Sequence, residues 1–265
     1  MGVDALIFDV DGTLADTEEV HRGAFNLAFE RFRLGWQWSR SEYRELLKTT
    51  GGKERITAYI DQLALSPAER KRCIELVPAI HAEKTKYYAS IISGGAVPLR
   101  DGVVRLLDEA KAAGCRLAIA TTTSAENIAA LLQSALGGDG LATFSVIACG
   151  DQVRAKKPAP DIYQLALQRL GLAAAQAVAF EDSENGLRSA VAAGLWTVVT
   201  PNFWTEGGDF GAAGLLLPRL GDPGLPLAGE PGGQLGAAAW LTFAELVEKS
   251  DAAVRRRSGL RQAVP

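Results

Sequence analysis

Two aspartates separated by one residue follow a short apolar run near the start of the chain. The apolar residues Ala5 to Phe8 precede Asp9 and Asp11, and Gly12 follows them. Four consecutive apolar residues bounded by a polar turn are typical of a buried strand in a parallel sheet. If the strand geometry persists beyond Phe8, Asp9 and Asp11 lean the same way, because side chains along a strand alternate with a period of two. They lie at the carboxyl end of the strand, where ligands gather in such sheets.

Two carboxylates held this close repel each other, so the site needs a cation or a shared proton. A hard divalent ion such as Mg²⁺ fits, because it takes oxygen ligands and keeps waters or a substrate phosphate. One carboxylate can then attack phosphorus while the other transfers a proton. A calcium loop of the EF-hand type is excluded, since Gly12 is the fourth residue from Asp9 and the twelfth is Val20. A solvated turn after a strand stays open as the alternative.

Three later runs could complete this site, each at the end of a predicted strand. The hydroxyl residues Thr121 to Ser124 precede a predicted helix, whose free N–H groups can hold a phosphate. Lys157 stands before a proline and could bring a fixed positive charge, and Glu181 and Asp182 are adjacent acids. Each run also has a structural reading: a helix cap, a surface lysine before a turn, and acids near a helix N-terminus.

The composition is that of a globular enzyme. The 265 residues are 48% hydrophobic and 22% charged, with a net charge of −3, which argues against a nucleic-acid binder. No run of apolar residues is long enough for a membrane span and no leader is seen, so we expect a cytoplasmic protein. Three widely spaced cysteines suggest neither a disulfide framework nor a zinc site, and two histidines supply a Cys-His or Ser-His-Asp mechanism poorly.

Helical patterns fill the chain from residue 17 to about residue 94, and an alternation of helices and strands follows. Ser39 with Glu42 and Ser66 with Glu69 predict capping boxes at two helix starts, and another helix is predicted over about Glu54 to Leu65. Strands that alternate with helices imply a parallel sheet with right-handed crossovers. We therefore predict an α/β core over 1–16 and 95–265, a helical cap domain over 17–94, and an irregular segment over 207–236.

The run Asp9-Val10-Asp11-Gly12-Thr13-Leu14 resembles the first motif of the haloacid dehalogenase-like (HAD) superfamily of phosphatases and phosphomutases. Thr121, Lys157-Pro158 and Glu181-Asp182 match its second, third and fourth motifs, in that order. The resemblance implies a Rossmann-like parallel-sheet core with a helical cap inserted after the first strand. It also implies that Asp9 is the nucleophile, forming an aspartyl phosphate, and that Asp11 is the general acid and base. Mg²⁺ would be held by Asp9, the Asp11 carbonyl and Asp182, with Glu181 assisting.

The cap resembles that of the β-phosphoglucomutase-like subgroup, and the runs around Lys48 to Arg55, Thr121 to Thr123 and Glu181 to Thr205 resemble CbbY-type phosphatases. This resemblance implies hydrolysis of the 1-phosphate of xylulose 1,5-bisphosphate, a Rubisco inhibitor, in the setting of the Calvin cycle. The expected partner is a small sugar phosphate, with no nucleic acid and no membrane, and the chain is expected to be a monomer.

Several cations in the cap could meet a second phosphate on the same sugar, because charge-assisted contacts to phosphate are strong. The candidates are Arg44, Lys48, Lys53 and Arg55, with Gly51 and Gly52 leaving room for backbone N–H groups. Glu18 and His21, one helical turn apart, could meet sugar hydroxyls, and Thr122 and Thr123 are further substrate contacts. The alternative is that these cations form a solvated helix face.

A hexose phosphomutase is the nearest alternative function, since it would use the same two aspartates and differ only in the acceptor of the phosphoryl group. A 2-haloacid dehalogenase has no place for a second aspartate at Asp11. A catalytically silent sugar-phosphate sensor would be expected to lack the nucleophile, and Asp9 is present.

Overall fold

The structure is a computed structural model, and it describes residues 2–95, 97–138, 140–227, 235 and 239–262. The strands are β1 Ala5–Phe8, β2 Arg116–Ala120, β3 Val146–Ala148, β4 Ala177–Glu181, β5 Trp196–Val199 and β6 Leu215–Leu216. The helices are α1 Glu18–Arg31, α2 Arg40–Leu46, α3 Gly52–Ile60, α4 Pro67–Ser93, α5 Val103–Ala112, α6 Ala125–Leu136, α7 Asp161–Leu170, α8 Glu184–Ala192 and α9 Phe243–Gln262.

The strands form one parallel sheet in the order β3-β2-β1-β4-β5-β6. Strand β1 lies between β2 and β4, with Phe8 paired to Ile119 on one side and to Phe180 on the other. The chain thus winds in both directions from β1, and the crevice beyond the carboxyl end of this strand is the expected position of a ligand. The predicted Rossmann-like sheet with a helical cap inserted after its first strand is confirmed.

Alternate side chains of β1 enter two different apolar clusters, one on each face of the sheet. Leu6 and Phe8 belong to one cluster, and Ala5 and Ile7 belong to the other. The Phe8 ring stacks on that of Phe180 of β4, with centroids 4.4 Å apart. Burial on both faces explains why the strand reads as a continuous apolar run.

Helices α1 to α4 have an apolar cluster of their own, dominated by aromatic side chains. Phe25, Phe29, Trp38 and Tyr43 are buried there. Both predicted capping boxes are present, at the starts of α2 and α4. Helix α3 begins at Gly52 and ends at Ile60, earlier at both ends than predicted. The domain boundaries proposed at residues 16 and 94 stay a prediction.

Two segments join this helical unit to the sheet, and they lie side by side. Ala15 and Leu99 form an antiparallel bridge. The adjacent Arg100 guanidinium donates to the Gly12 carbonyl and, at 2.7 Å, to the Thr200 carbonyl. The loop after β1 is therefore tied both to the chain returning from the helices and to the end of β5.

The prediction of an irregular segment over 207–236 was wrong for part of its length. Leu215 and Leu216 form β6, which pairs with Val198 and Val199 of β5. Leu217 and Leu220 are buried in the larger core cluster. A two-residue strand is too short for a periodic signal, and it forms here because an edge strand is available to pair with it. Residues 228–234 and 236–238 lie outside the described residues. In the part of the chain described, no helix has the length and apolarity to cross a membrane.

Candidate active site

The residues predicted from four separate sequence runs meet at the carboxyl edge of the sheet. Asp9, Thr121, Lys157 and Asp182 all line one cavity of about 690 Å³. Its opposite wall is built by the helical cap, which contributes residues from α1 to α4. This volume is in the range of pockets that enclose a small ligand, ~300–1,000 Å³.

Lys157 joins the acid after β1 to the acid at the end of β4. Its Nζ donates to Asp9 Oδ1 at 2.7 Å and to Glu181 Oε1 at 2.6 Å, and all three side chains are buried. Tyr163 of α7 donates to the same Glu181 oxygen at 2.5 Å. The Thr121 hydroxyl lies near Asp9 and acts to lower the pKa of its carboxyl group. Glu181 therefore fixes the position of Lys157, and Lys157 holds one oxygen of Asp9.

The buried acids outnumber the cation that neutralises them. Burial raises the pKa of Asp9 against the lowering effect of Lys157, raises that of Glu181 to about 7, and raises that of Asp182 well above its usual range. Burial acts to lower the pKa of Lys157, but the charges of Asp9 and Glu181 outweigh burial and raise this pKa above its usual value. One lysine does not balance three acids, so the site has room for a further positive charge.

These acids fit a divalent cation. Asp9, Glu181 and Asp182 each offer an oxygen, and the three atoms lie within 4.8 Å of one another. Glu181 Oε2 is buried without a hydrogen-bond partner in the described part of the chain. Hard cations such as Mg²⁺ take carboxylate oxygens of this kind. The donor set and the excess of negative charge therefore both suit a bound metal ion.

Asp11 points away from this group, towards the cap. Its Oδ1 accepts from Thr17 at 2.6 Å and contacts His21 Nε2 at 2.8 Å. Burial acts to raise the pKa of Asp11, but His21, Thr17 and Lys84 together outweigh burial and hold the pKa below its usual range. A common direction for Asp9 and Asp11 depended on the strand geometry persisting beyond Phe8, and this condition is not met, because β1 ends at Phe8.

The sequence suggested that His21 could meet a sugar hydroxyl, but its ring is already engaged on both sides. Its second ring nitrogen, Nδ1, is 2.5 Å from Lys84 Nζ. Both nitrogens are thus engaged, one with Asp11 and one with Lys84. Glu18 does line the cavity, where it accepts from the Tyr43 hydroxyl at 2.8 Å.

The hydroxyl run after β2 lies at the wall of the cavity, next to the start of α6. Ser124 is the N-cap of α6, as predicted, and its side chain accepts from Asn127 N. Thr121, Thr122 and Thr123 line the cavity just before this helix. The start of α6 therefore presents hydroxyls and N–H groups beside Asp9.

All the predicted cap residues line the cavity: Arg44, Lys48, Gly51, Gly52, Lys53 and Arg55. Arg55 is held firmly, because its guanidinium donates to the Tyr43 hydroxyl at 3.1 Å and to the Leu46 carbonyl at 3.2 Å. Lys48 is mostly exposed and pairs with Glu45 at 2.5 Å. Arg55 is consequently the better ordered of these two cations.

The other two cap cations bridge to the core. Arg44 Nη2 donates to the Glu206 carbonyl at 2.7 Å, and Lys53 Nζ is 3.8 Å from Asp151 Oδ1. Both contacts cross the mouth of the cavity. In this arrangement the cap lies closed over the strand ends.

Gly51 and Gly52 are required by their surroundings. Gly51 has a φ of +97°, and a Cβ on Gly52 would lie 2.6 Å from the His81 ring. This ring also lines the cavity. Burial lowers the pKa of His81 to about 4, and the nearby Lys84 and Lys53 add to the effect, so the imidazole is neutral near pH 7.

Sequence reasoning missed three side chains that hold the site together. Lys84 lies in the buried stripe of α4, and a lysine at that apolar spacing was a signal that could have identified it. Tyr163 gave no signal, because a buried tyrosine on a helix is ordinary. Asn202, which donates to Asp182, lies inside the run from Glu181 to Thr205 but belongs to none of the four HAD motifs, so it was not singled out.

Comparisons with known proteins agree with this arrangement. Residues 3–194 match the model of a family of hydrolases, the haloacid dehalogenase-like hydrolases. The chain is 51% identical over 220 residues to the protein CbbY of Rhodobacter capsulatus, covering 83% of this chain and 95% of that protein.

Two solved structures extend the comparison. CbbY from Rhodobacter sphaeroides, a variant in complex with xylulose 1,5-bisphosphate, is 46% identical and has a TM-score of 0.76, covering 82% of this chain and 94% of that chain. A β-phosphoglucomutase from Clostridium difficile is 22% identical with a TM-score of 0.67, covering 95% of this chain and 99% of that one, and it shows the shared fold alone.

Proposed function

Because this chain belongs to the haloacid dehalogenase-like hydrolase family and is an enzyme of the phosphatase class, we propose that it is a Mg²⁺-dependent sugar phosphatase acting through an aspartyl phosphate. One observation carries the proposal. A single residue separates Asp9 from Asp11, yet Asp9 is hydrogen-bonded to Lys157 and Asp11 to His21. Two carboxylates in such different environments suit two different roles.

Asp9 is the nucleophile. Lys157 holds one oxygen of the Asp9 carboxylate. The carboxylate attacks the phosphorus of the substrate while the bond from phosphorus to the sugar oxygen breaks. The departing oxygen takes a proton from Asp11. Water then attacks the aspartyl phosphate, gives its proton to Asp11 and releases inorganic phosphate.

Asp11 must therefore carry a proton in the first step and accept one in the second. In the substrate-free site its lowered pKa keeps it ionised. A phosphate dianion that enters beside Asp11 raises the pKa, because a like charge disfavours the ionised form. Thr17 and His21 hold the carboxylate at the side of the site that faces the cap, where the leaving sugar oxygen would lie.

The remaining residues hold the phosphoryl group. Lys157 supplies a fixed positive charge, and Thr121 with the start of α6 supplies hydroxyl and N–H donors. Asp9 and Asp182, with Glu181 nearby, would hold Mg²⁺. When bound, Mg²⁺ supplies further positive charge to the phosphoryl oxygens during an in-line transfer.

For the substrate we propose the 1-phosphate of xylulose 1,5-bisphosphate. The sugar named in the structure of the Rhodobacter sphaeroides relative supports this, as does the set of cap cations that line the cavity. Arg55 and Lys53 would bind the second phosphate. The Calvin-cycle setting, the cytoplasmic location and the monomeric state stay predictions.

A hydrolysis panel tests this function. Phosphate release from xylulose 1,5-bisphosphate, from sugar monophosphates and from an aryl phosphate is measured with Mg²⁺ and with a chelator. We expect the bisphosphate to have the highest kcat/KM, and all activity to require the metal. Conversion of a hexose 1-phosphate to its 6-phosphate, without release of phosphate, would instead indicate a phosphomutase.

Substitutions in the cap test the choice of substrate. Lys53→Ala and Arg55→Ala should lower kcat/KM for the bisphosphate far more than for a monophosphate or an aryl phosphate. Lys71→Ala is the matched control, because Lys71 is an exposed cap cation whose ion pair is with Glu75 of the same helix. Equal losses on all three substrates, or no loss, would remove the cap cations from the specificity argument.

A further inference from the structure

Asn202 lies just after strand β5, and its amide reaches the acid that follows the neighbouring strand β4. Its Nδ2 donates to Asp182 Oδ2 at 2.9 Å and to the Gly12 carbonyl at 3.2 Å. An added Cβ on Gly12 would lie 2.3 Å from Asp182 Oδ2 and 2.6 Å from Asn202 Nδ2. The glycine of the first motif therefore makes room for this pair of side chains.

The other end of the Asn202 amide is held by its own turn. Its Oδ1 accepts from Trp204 N at 2.8 Å, and its backbone N donates to Thr205 Oγ1 at 3.0 Å. An asparagine that accepts from the N–H two residues ahead forms a stable local turn. Because Oδ1 is engaged in the turn, Nδ2 is the atom that must face Asp182.

The segment that contains this turn contacts the cap as well as the core. The Trp204 ring packs edge-on against Tyr43 of α2, with centroids 5.6 Å apart, and the Glu206 carbonyl accepts from Arg44. The segment that orients Asn202 is thus anchored on both sides of the cavity.

Asp182 depends on this amide for its orientation. Among the residues that the structure describes, its other oxygen, Oδ1, has a single hydrogen-bond contact, a long one of 3.4 Å from the Thr13 hydroxyl. The carboxylate is buried, and within the described residues it forms no ion pair with a lysine or an arginine. Loss of the Asn202 donor would leave a buried carboxylate free to rotate.

We propose that Asn202 is a positioning residue for the metal site, since its Nδ2 fixes the Asp182 carboxylate so that an oxygen faces Asp9 and Glu181. The proposal rests on the proposed function only for the identity of the ion. Side chains that orient a metal ligand through a hydrogen bond change metal affinity by about 10- to 100-fold when they are removed. Asn202 itself is not among the residues that line the cavity.

The test is Mg²⁺ binding to the substrate-free, full-length chain, measured by isothermal titration calorimetry for wild type, Asn202→Ser and Asn202→Ala. A serine hydroxyl can still accept from Trp204 N and keep the turn, but it is too short to reach Asp182. Asn202→Ala removes both contacts. We expect both variants to bind Mg²⁺ about 10- to 100-fold more weakly. At saturating Mg²⁺, kcat should recover and KM for the sugar phosphate should be unchanged.

Asn26→Ala is the matched control, since the Asn26 amide also bridges donor and acceptor groups of the backbone, those of Trp38 in the cap. This variant should melt at a lower temperature and keep the wild-type affinity for Mg²⁺. Wild-type affinity in Asn202→Ser would overturn the proposal, because the Nδ2 donor would then not matter. A loss confined to Asn202→Ala would assign the effect to the turn, and no loss in either variant would assign Asn202 no part in Mg²⁺ binding.

The outcome is separable from that of the proposed function. A chain that hydrolyses no sugar phosphate but loses Mg²⁺ affinity in Asn202→Ser would remove the function and keep the role of Asn202. A chain that hydrolyses sugar phosphates and keeps its Mg²⁺ affinity in Asn202→Ser would keep the proposed function and remove the role of Asn202.

Discussion

Lys84 Nζ lies 2.5 Å from His21 Nδ1, although the two residues are 63 positions apart and belong to different helices. Burial lowers the pKa of Lys84 to about 8, so the amine still carries its proton near pH 7. A protonated lysine can only donate, and Nδ1 must therefore accept. The ring proton then lies on Nε2, facing Asp11 Oδ1 at 2.8 Å.

Lys84→Met should lower kcat by about 10- to 100-fold, because a hydrogen bond that involves a charged group contributes ~1.5–3 kcal/mol. Without Lys84, His21 is free to change its tautomer and to release Asp11. Steady-state kinetics on the preferred sugar phosphate are the measurement, with Lys86→Met, an exposed neighbour on α4, as the control. A change in KM alone would contradict this role.

Wild-type kcat should also fall on the alkaline side as Lys84 loses its proton, with a midpoint near its pKa of about 8. Above that pH the neutral amine no longer forces Nδ1 to accept. A pH–rate profile of wild type and Lys84→Met checks this. If kcat of the variant falls at the same pH as kcat of wild type, the alkaline fall belongs to a group other than Lys84.

Asp9→Asn should abolish turnover and leave the fold intact. The amide keeps the shape of the side chain beside Lys157 but cannot form an acyl phosphate, and loss of a nucleophile costs more than about 10³-fold. Phosphate release and thermal melting are measured together. Activity within about tenfold of wild type would exclude Asp9 as the nucleophile.

Asp11→Asn should slow turnover by roughly 10²–10⁴-fold, the usual contribution of a positioned acid or base. The phosphate-binding groups Thr121 and Lys157 are untouched, so inorganic phosphate should still inhibit or bind with near wild-type affinity. Single-turnover kinetics and phosphate titration are the two measurements. Unchanged phosphate release would assign proton transfer to a different residue.

His81 predicts a loss of stability in acid. Its folded pKa of about 4 lies below the unfolded value of about 6.5, so the unfolded chain binds the proton first as the pH falls. The stability due to neutral His81 is complete above about pH 6.5 and is lost as the pH falls towards 4.

Urea unfolding at about pH 7.5 and about pH 5 measures this effect. The free energy of unfolding should fall further for wild type than for His81→Gln, which has no proton to take up. Carboxylates that titrate in the same range are common to both proteins and cancel in the difference. An equal fall in the two proteins would mean that His81 titrates normally.

The sequence by itself determined the strands β1 to β5, the order of the four motifs and the edge of the sheet where they meet. These features are local: apolar runs predict buried strands, and strands of a parallel sheet end at one edge. Asp9, Thr121, Lys157 and Asp182 could be placed together from their positions after four strands.

Only the tertiary structure decided which side chains touch. The loop after Phe8 leaves the strand geometry, so Asp9 turns to Lys157 and Asp11 turns to His21. Lys84 meets His21 only because α4 packs against α1, and β6 forms only because β5 offers it an edge. Partners that are distant along the chain are set by packing between elements, and spacing within a single element carries no information about them.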